Sequence, residues 1–236
     1  MIDFIPAPAS LPPGQRVYAV GDVHGCLDRL VALHEMIGTD LTERPTDSAV
    51  LVHLGDYVDR GPDSARVIER LIRFSTTHQL IPLRGNHEHM MLAALVSSDT
   101  ETTELWLANG GADSLLSWGV PRSAQPREWP NYLPIPHLLF LRDLAVCHEA
   151  GGYLFVHAGI RPGIPLERQS RHDLMWIREP FLSSKVTFGP VVVHGHTPRQ
   201  EPVVRSNRIG IDTGAVMGGV LTCAVLEDDR LGFITA

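Results

Sequence analysis

Apolar and polar positions form repeating blocks over the first 96 residues of the chain, and these blocks predict a repeated strand–helix unit. Short apolar runs typical of buried strands occur at 16–20, 50–54 and 80–83. Segments with helical spacing of their apolar residues follow at 27–37, 62–74 and 87–96. This order is typical of parallel strands that are joined by crossover helices.

The pattern changes after residue 100. Residues 101–118 have helical spacing that Asn109-Gly110-Gly111 interrupts, and 129–136 predicts a loop that leads into a short helix ending at Phe140. Short apolar runs that predict strands then occupy 144–148, 153–157, 191–194, 202–204, 208–211, 220–226 and 231–234. We therefore predict an α/β fold in which two sheets pack face to face with helices outside.

The composition fits one globular domain. The chain has 236 residues, of which 44% are hydrophobic and 20% are charged, enough to form a well-buried core. Prolines are dense at the start of the chain, at Pro6, Pro8, Pro12 and Pro13. We expect residues 1–15 to form a flexible arm and 16–236 to form a single domain.

The formal charge of −7 argues against a nucleic-acid partner, because binding the phosphate backbone requires a basic face. No signal peptide is recognisable at the amino terminus, and no apolar stretch approaches the ~20 residues of a membrane span. Cys26, Cys147 and Cys223 are widely spaced and predict reduced thiols. We expect a cytoplasmic protein without a membrane partner, and the sequence leaves its oligomeric state open.

Ligand-type side chains follow five of the predicted strands. Asp22 and His24 follow the first strand, and side chains two apart on extended backbone point to the same side. The other four lie at or just after the ends of later strands and are Asp56, Asn86, His157 and His196. Carboxylate, imidazole and amide ligands suit Mn, Fe or Zn better than Ca. The sequence therefore predicts two divalent ions, with manganese preferred and Asp56 as the natural bridge.

Residues beside these ligands indicate the chemistry. Two ions about 3.5–4 Å apart would share a water and lower its pKa, which gives a hydroxide that attacks phosphorus. Arg60 and Arg84 offer planar guanidinium groups to phosphate oxygens. His87, with Asp59 as its carboxylate partner, is a candidate general acid for the leaving alkoxide. We therefore predict metal-assisted hydrolysis of a phosphate ester.

Five ordered motifs, GDVHG, GDYVDRG, GNHE, HAG and GHTP, resemble those of the PPP family of metallophosphoesterases, and of its bacterial and phage serine/threonine protein phosphatases in particular. The resemblance covers residues 17–226 and includes a W-x-R-E segment at 176–179. It implies the calcineurin-like metallophosphoesterase fold, a central β-sandwich of mixed sheets flanked by α-helices.

The same resemblance implies roles for individual residues. One ion would be held by Asp22, His24 and Asp56, and the other by Asp56, Asn86, His157 and His196. His87 with Asp59 is implied as the acid pair, and the phosphate contacts would be Arg60, Arg84 and Arg178. His194 stays open, because strand alternation would point it to the same face as His196.

Three functions are compatible with these residues. The leading hypothesis is a phosphomonoesterase that acts on phosphoserine and phosphothreonine in phosphoproteins or phosphopeptides, and Glu88 and Asp59 favour this branch of the family. The alternative is a pyrophosphohydrolase of diadenosine tetraphosphate, whose adenine-binding surface would come from Trp106, Trp118 or Trp129. A third is a catalytically silent, metal-stabilised scaffold that binds phosphoproteins. The sequence leaves phosphotyrosine activity open.

Overall fold

Two β-sheets packed face to face form the centre of the computed structural model, which describes residues 2–97 and 99–236. The first sheet has the order β1 (Ile5–Pro6), β11 (Arg230–Thr235), β10 (Thr222–Glu227), β2 (Gln15–Val20), β3 (Ser48–His53) and β4 (Leu80–Pro82). The second has the order β5 (Cys147–Ala150), β6 (Tyr153–Val156), β7 (Val191–His194), β9 (Arg208–Gly210) and β8 (Val203–Val204). Strands β2, β3 and β4 are parallel, as are β6, β7 and β9.

Helices cover the outer faces of the two sheets. They are α1 (Leu27–Glu43), α2 (Ser64–Phe74), α3 (Asn86–Val96), α4 (Thr100–Trp106), α5 (Ala112–Ser117), α6 (Ile135–Arg142) and α7 (Arg171–Trp176). A kinked turn, Leu107–Gly111, joins α4 to α5, and 3-10 helices occupy Pro126–Tyr132, Leu166–Arg168 and Ala215–Met217. Within residues 2–97 and 99–236, no helix combines the length and apolar character that crossing a membrane requires.

Alternation of side chains along β2 explains how the first sheet buries both of its faces. Val17 and Ala19 belong to the core between the two sheets. Tyr18 and Val20 point the other way, into the core beneath α1 and α2. Strand β7 divides its side chains in the same manner between the inter-sheet core and the outer core of the second sheet. The predicted α/β architecture of two facing sheets with outer helices is confirmed.

The amino-terminal segment differs from the predicted flexible arm. Ile5 and Pro6 pair with β11 at the edge of the first sheet. The amide of Leu11 donates to the carbonyl of Asp228 at 2.8 Å, and the Leu11 side chain is buried. Proline is tolerated at a sheet edge, where its missing N–H removes no ladder hydrogen bond. The prolines therefore mark an edge strand and its connection, and the segment packs against the rest of the chain.

Two other elements differ from the prediction. The strand predicted at 144–148 begins at Cys147, because Ala145 instead forms an isolated parallel bridge with Leu83. Helix α7 was not predicted, although Ser170 caps it by accepting a hydrogen bond from the amide of Asp173 at 3.0 Å. This helix ends two residues before Arg178 and brings that residue toward the ends of β6 and β7.

Candidate functional site

The six predicted metal ligands lie together at the carboxyl ends of parallel strands. Asp22 and His24 follow β2, Asp56 follows β3, and Asn86 begins α3 just after β4. His157 and His196 follow β6 and β7, so the second sheet contributes two of the six ligands. All six side chains are buried. Parallel strands end at one edge of a sheet, and the packing of the two sheets brings both edges together.

Asp56 lies at the centre of the cluster. One group of residues able to hold an ion is His24, Asp56 and His87, and a second is Asp56, His157 and His196; within each group the ligand atoms lie within 4.8 Å of one another. Asn86 Oδ1 lies 2.9 Å from both His157 Nε2 and His196 Nδ1. Asp56 belongs to both groups, with Oδ2 lying 3.5 Å from His24 Nε2 and Oδ1 lying 3.3 Å from His157 Nε2.

Backbone carbonyls fix the orientation of two of these imidazoles. His24 Nδ1–H donates to the carbonyl of Val58 at 2.8 Å, and His157 Nδ1–H donates to the carbonyl of Leu54 at 2.9 Å. The Nε2 atom of each ring therefore faces the cluster, an arrangement in which the second nitrogen sets the tautomer of a metal-ligating histidine. Burial lowers the pKa of His24 and of His196 to about 3, so both rings are neutral and keep a lone pair.

Charges within the cluster fit a site for cations. Burial raises the pKa of Asp22 well above its usual value, and the neighbouring carboxylate of Asp212 raises it further. Burial alone would lower the pKa of His157, but the charge and hydrogen bond of Asp56 outweigh it and raise this pKa to about 10. Several buried acids thus compete for few counter-charges, and the mixed oxygen and nitrogen donors suit a transition-metal ion.

Unfavourable backbone conformations are concentrated at this same site. Six non-glycine residues in the described part of the chain have positive φ angles, and five of them belong to this site: His24, Asp56, Asp59, Arg60 and His196. The sixth, Asp228, lies in the turn between β10 and β11. A left-handed conformation is unfavourable for residues with a Cβ, and such residues cluster at functional sites. The turns that deliver the ligands are therefore under strain that the surrounding packing sustains.

Glu88 holds one of these turns and was not assigned a structural role from the sequence. Its buried carboxylate accepts hydrogen bonds from the backbone amides of Asp56 at 2.9 Å, Tyr57 at 2.7 Å and Gly85 at 2.9 Å. Burial raises the pKa of Glu88 to about 7. The fourth residue of GNHE thus fixes the backbone of the second motif around the central carboxylate.

His87 and Asp59, the two residues predicted to act as an acid pair, are in contact. His87 Nδ1 lies 2.7 Å from Asp59 Oδ2, and His87 Nε2 lies 3.9 Å from Asp56 Oδ2. Both members of the pair are buried. Since Nδ1 is engaged by Asp59, the other nitrogen of His87 faces Asp56 and the cleft beside it.

Two of the three predicted phosphate-binding arginines reach that cleft. Arg60 and Arg178 line a cavity of about 230 Å³ together with the metal ligands, and both side chains are exposed. Arg60 Nη1 lies 2.9 Å from His24 Nε2. Asp212 also lines the cavity and was not singled out as a site residue, since its side chain reaches the site from the loop after β9.

Arg84 lies elsewhere. Its Nη2 donates to the carbonyls of Leu141 and Arg142, at 3.2 and 2.5 Å, at the carboxyl end of α6. It is not among the described residues that line the cavity. Proximity in sequence to Asn86 suggested a phosphate contact, but the side chain turns toward α6. Its role in binding phosphate stays a prediction, and this arrangement does not support it.

His194 is separated from the ligand cluster. Its Nδ1–H donates to the carbonyl of Gly195 at 3.0 Å, and its ring packs edge-on against Phe181 with 5.1 Å between centroids. Strand β7 ends at His194, and His196 has a φ angle of 63°. Alternation therefore stops between the two histidines, and they point to different sides.

The tryptophans predicted to form an adenine-binding surface are buried. Trp106, Trp118 and Trp129 have exposed fractions of 0%, 9% and 6%. Each indole N–H is engaged internally, with Asp59, His137 and the carbonyl of Ala124. The prediction that these three residues present a surface for adenine is wrong, because all three belong to the core beneath the helices. Trp176, at the end of α7, is half-buried and lines the cavity instead.

Comparison with known proteins agrees with this arrangement. The family model described as calcineurin-like phosphoesterase matches residues 15–230. The chain is 31% identical over 218 residues to serine/threonine-protein phosphatase 1 of Salmonella typhimurium, covering 90% of this chain and 93% of the relative. It is 28% identical over 231 residues to the asymmetrical bis(5'-nucleosyl)-tetraphosphatase PrpE of Bacillus cereus, covering 86% of this chain and 87% of that one.

Solved structures are similar in fold. A crystal structure provisionally assigned as a diadenosine tetraphosphatase has a TM-score of 0.69 and 24% identity, covering 97% of this chain and 98% of the other. A cold-active protein tyrosine phosphatase has a TM-score of 0.64 and 16% identity, covering 96% and 81%. At these identities the likeness shows a shared fold alone.

Proposed function

The chain belongs to the calcineurin-like phosphoesterase family, and on that premise we propose that it is a metal-dependent phosphomonoesterase that removes phosphate from phosphoserine and phosphothreonine in proteins. The observation that supports this proposal most directly is the buried pair of His87 and Asp59, whose nitrogen and oxygen lie 2.7 Å apart beside the central Asp56. An alkoxide of serine or threonine is a poor leaving group, so its departure requires a placed proton donor.

The buried donors fit two divalent ions. Asp22, His24 and Asp56 would hold one, and Asp56, Asn86, His157 and His196 would hold the other; we propose manganese, with iron or zinc as alternatives. Bound there, the ions would supply Lewis-acid charge for the phosphate and a lowered pKa for the attacking water. The mixed donor set and the fixed tautomers of His24 and His157 support this assignment.

The protein side chains would then perform three tasks. Arg60 and Arg178, exposed at the cleft, bind the phosphate oxygens and turn the ester so that its leaving oxygen faces His87. His87 gives that oxygen the proton on Nε2, and Asp59 holds the ring through Nδ1. Hydrogen bonds to the equatorial oxygens strengthen as charge develops on them, which lowers the barrier.

Hydrolysis of a dinucleoside tetraphosphate is the second candidate, favoured by Trp176. This half-buried side chain lines the cleft beside Arg178 and offers an aromatic face of the kind that stacks on a base. The relative from Bacillus cereus bears the name of such an enzyme. In this substrate the leaving group is itself a phosphate, which has less need of the acid pair.

The test compares three substrates on one preparation loaded with Mn(II): p-nitrophenyl phosphate, a phosphoserine peptide and diadenosine tetraphosphate. We expect turnover of p-nitrophenyl phosphate to be lost with EDTA and restored by Mn(II), and kcat/KM to be higher for the peptide than for the dinucleotide. Activity that is unchanged by chelation would overturn the proposal, and preference for the dinucleotide would establish the second candidate. Multiple turnover of any of the three excludes a silent scaffold.

The cellular setting is also a proposal. Cys26, Cys147 and Cys223 form no disulfide with one another, which supports a reducing compartment and hence the cytoplasm. The partner that we propose is a phosphoprotein or phosphopeptide, without nucleic acid or membrane.

A further inference from the structure

Asp59 accepts hydrogen bonds from two side chains besides its contact with His87. The indole Nε1–H of Trp106 lies 3.0 Å from both carboxylate oxygens, and the hydroxyl of Ser114 donates to Oδ1 at 2.6 Å. All three residues have an exposed fraction of 0%. A carboxylate without access to water depends on such donors, because an unpartnered buried charge is strongly unfavourable.

Ser114 also fixes the backbone of Asp59. The amide of Asp59 donates to Ser114 Oγ at 2.8 Å, so one hydroxyl contacts both the main chain and the side chain of the same residue. Asp59 has a φ angle of 72°, a conformation that a residue with a Cβ adopts only when its surroundings hold it there. The Ser114 hydroxyl therefore stabilises the strained backbone conformation of Asp59.

Both donors come from the helical insertion that interrupts the strand–helix pattern. Trp106 ends α4 and Ser114 lies in α5, and the kinked turn between them carries Gly110 with a φ angle of 102°. The carbonyl of Gly110 accepts a hydrogen bond from the amide of Arg60 at 3.2 Å. This turn thus sets the distance between the two donors and docks them on the loop that carries Asp59.

We propose that Trp106 and Ser114 are positioning residues for catalysis, which hold the carboxylate of Asp59 in the one orientation that aims Nε2 of His87 at the leaving oxygen. Their donors are neutral, and this matters for the pair. An arginine in place of these two donors would also stabilise the Asp59 carboxylate. Its positive charge would, however, repel the protonated ring of His87, whose Nδ1 lies 2.7 Å from Asp59 Oδ2. The proposal rests on the proposed function, in which His87 protonates the leaving oxygen.

The dependence of rate on the leaving group separates this role from a merely structural one. Phenol is a much weaker acid than p-nitrophenol, so hydrolysis of phenyl phosphate needs the placed proton more than hydrolysis of p-nitrophenyl phosphate does. Trp106→Phe keeps an aromatic ring and removes the N–H. In the Mn(II)-loaded enzyme we expect it to lower kcat for phenyl phosphate about tenfold more than for p-nitrophenyl phosphate. Ser114→Ala, a smaller change, should act in the same direction by about fivefold.

Trp129→Phe is the matched control. It removes an indole N–H from a buried tryptophan that packs against Trp106, with 5.8 Å between ring centroids, but this N–H donates to the carbonyl of Ala124 and not to Asp59. In this variant, the ratio of kcat for phenyl phosphate to kcat for p-nitrophenyl phosphate should equal that of the wild type. Metal content, measured in every variant, should stay that of the wild type. If Trp106→Phe does not fold, the ratio for Ser114→Ala decides.

His87→Asn tells failure of this inference from failure of the proposed function. A selective loss with His87→Asn, combined with equal losses on both substrates or no loss for Trp106→Phe and Ser114→Ala, would overturn the positioning role and leave the proposed function standing. Without a selective loss for His87→Asn, the acid assignment is wrong and the positioning role falls with it. Selective losses in all three variants, with Trp129→Phe unchanged, establish the inference.

Discussion

The backbone amide of His196 donates to both carboxylate oxygens of Asp22, at 3.2 and 3.1 Å. Asp22 follows β2 in the first sheet, and His196 follows β7 in the second. One hydrogen-bonded contact therefore joins two proposed metal ligands and the two sheets. It forms because Gly195 has no Cβ, which would otherwise collide with Asp22 Oδ1.

Gly195→Ala should therefore displace Asp22 and weaken metal binding. We expect Mn(II) affinity to fall about 10- to 100-fold, the range typical for loss of a group that orients a ligand. Titration of the EDTA-treated protein with Mn(II) measures this. Gly38→Ala is the control, since a Cβ at that position in α1 meets nothing within 4 Å and alanine is a better helix former. Equal Mn(II) affinity in both variants would contradict the role of the contact.

His87→Asn should lower kcat for a phosphoserine peptide by roughly 100-fold or more, because it removes the proposed general acid. The bound metal should be retained, since His87 is not one of the six proposed ligands. Steady-state kinetics together with metal analysis checks both statements. Full activity would refute the acid role, whereas loss of metal would show that Nε2 of His87 ligates an ion, as its place in one of the two clusters allows.

Arg178 and Arg84 should respond differently to replacement by lysine. Arg178→Lys loses a planar donor pair at the cleft and should raise KM for a phosphomonoester about tenfold. Arg84→Lys should leave KM unchanged and lower the free energy of unfolding by about 1–2 kcal/mol, because hydrogen bonds to the carbonyls of Leu141 and Arg142 are lost. Kinetics and urea unfolding measure the two effects. An increase in KM for Arg84→Lys equal to that for Arg178→Lys would restore the phosphate role predicted for it.

Between pH 6.5 and 10, stability should fall with rising pH in the metal-free protein and should fall less in the Mn(II)-bound protein. Without metal, the pKa of His157 is raised from 6.5 to about 10, so its protonated form stabilises the folded protein fully below pH 6.5 and progressively less toward pH 10. Metal requires the neutral imidazole and displaces that proton, so stabilisation by Mn(II) should grow over the same window.

Thermal unfolding at pH 6.5 and 8.5, with EDTA and with Mn(II), tests this. We expect the EDTA-treated protein to be less stable at pH 8.5, and the increase in Tm on adding Mn(II) to be larger there. His194→Gln is a suitable control, because His194 is buried, belongs to neither ligand cluster and has a pKa that burial lowers to about 3. The same increase in Tm at both pH values in the wild type would contradict the proton displacement.

The strand ends of this fold were predictable because they follow local rules. The apolar runs before Asp22, Asp56 and Asn86 correspond to β2, β3 and β4, and parallel strands place their ends at one edge. The positions of His157 and His196 beside these strands depend on how the second sheet packs against the first. The resemblance of the motifs to those of a known family indicated that packing. The spacing of the apolar residues alone did not predict it.

Contacts made by the side chains of distant elements were not predictable. Trp106 resembled a candidate surface for a base, and only the fold shows its indole N–H turned inward to Asp59. Arg84 is adjacent to the third motif, yet its long side chain reaches α6. The prolines before residue 15 suggested a free arm, although a sheet edge tolerates them equally. In each case several outcomes satisfy the local rules, and tertiary packing selects one.

Because the proposed ligands are divided between the two sheets, the two proposed ions should contribute differently to folding. Asp22, His24 and Asp56 all follow strands of the first sheet, so that sheet carries every side chain proposed for one of the two ions. The other ion needs His157 and His196, which arrive with the later half. An ion bound there acts as a cross-link between halves of the sandwich, and its release should loosen their docking before either sheet melts.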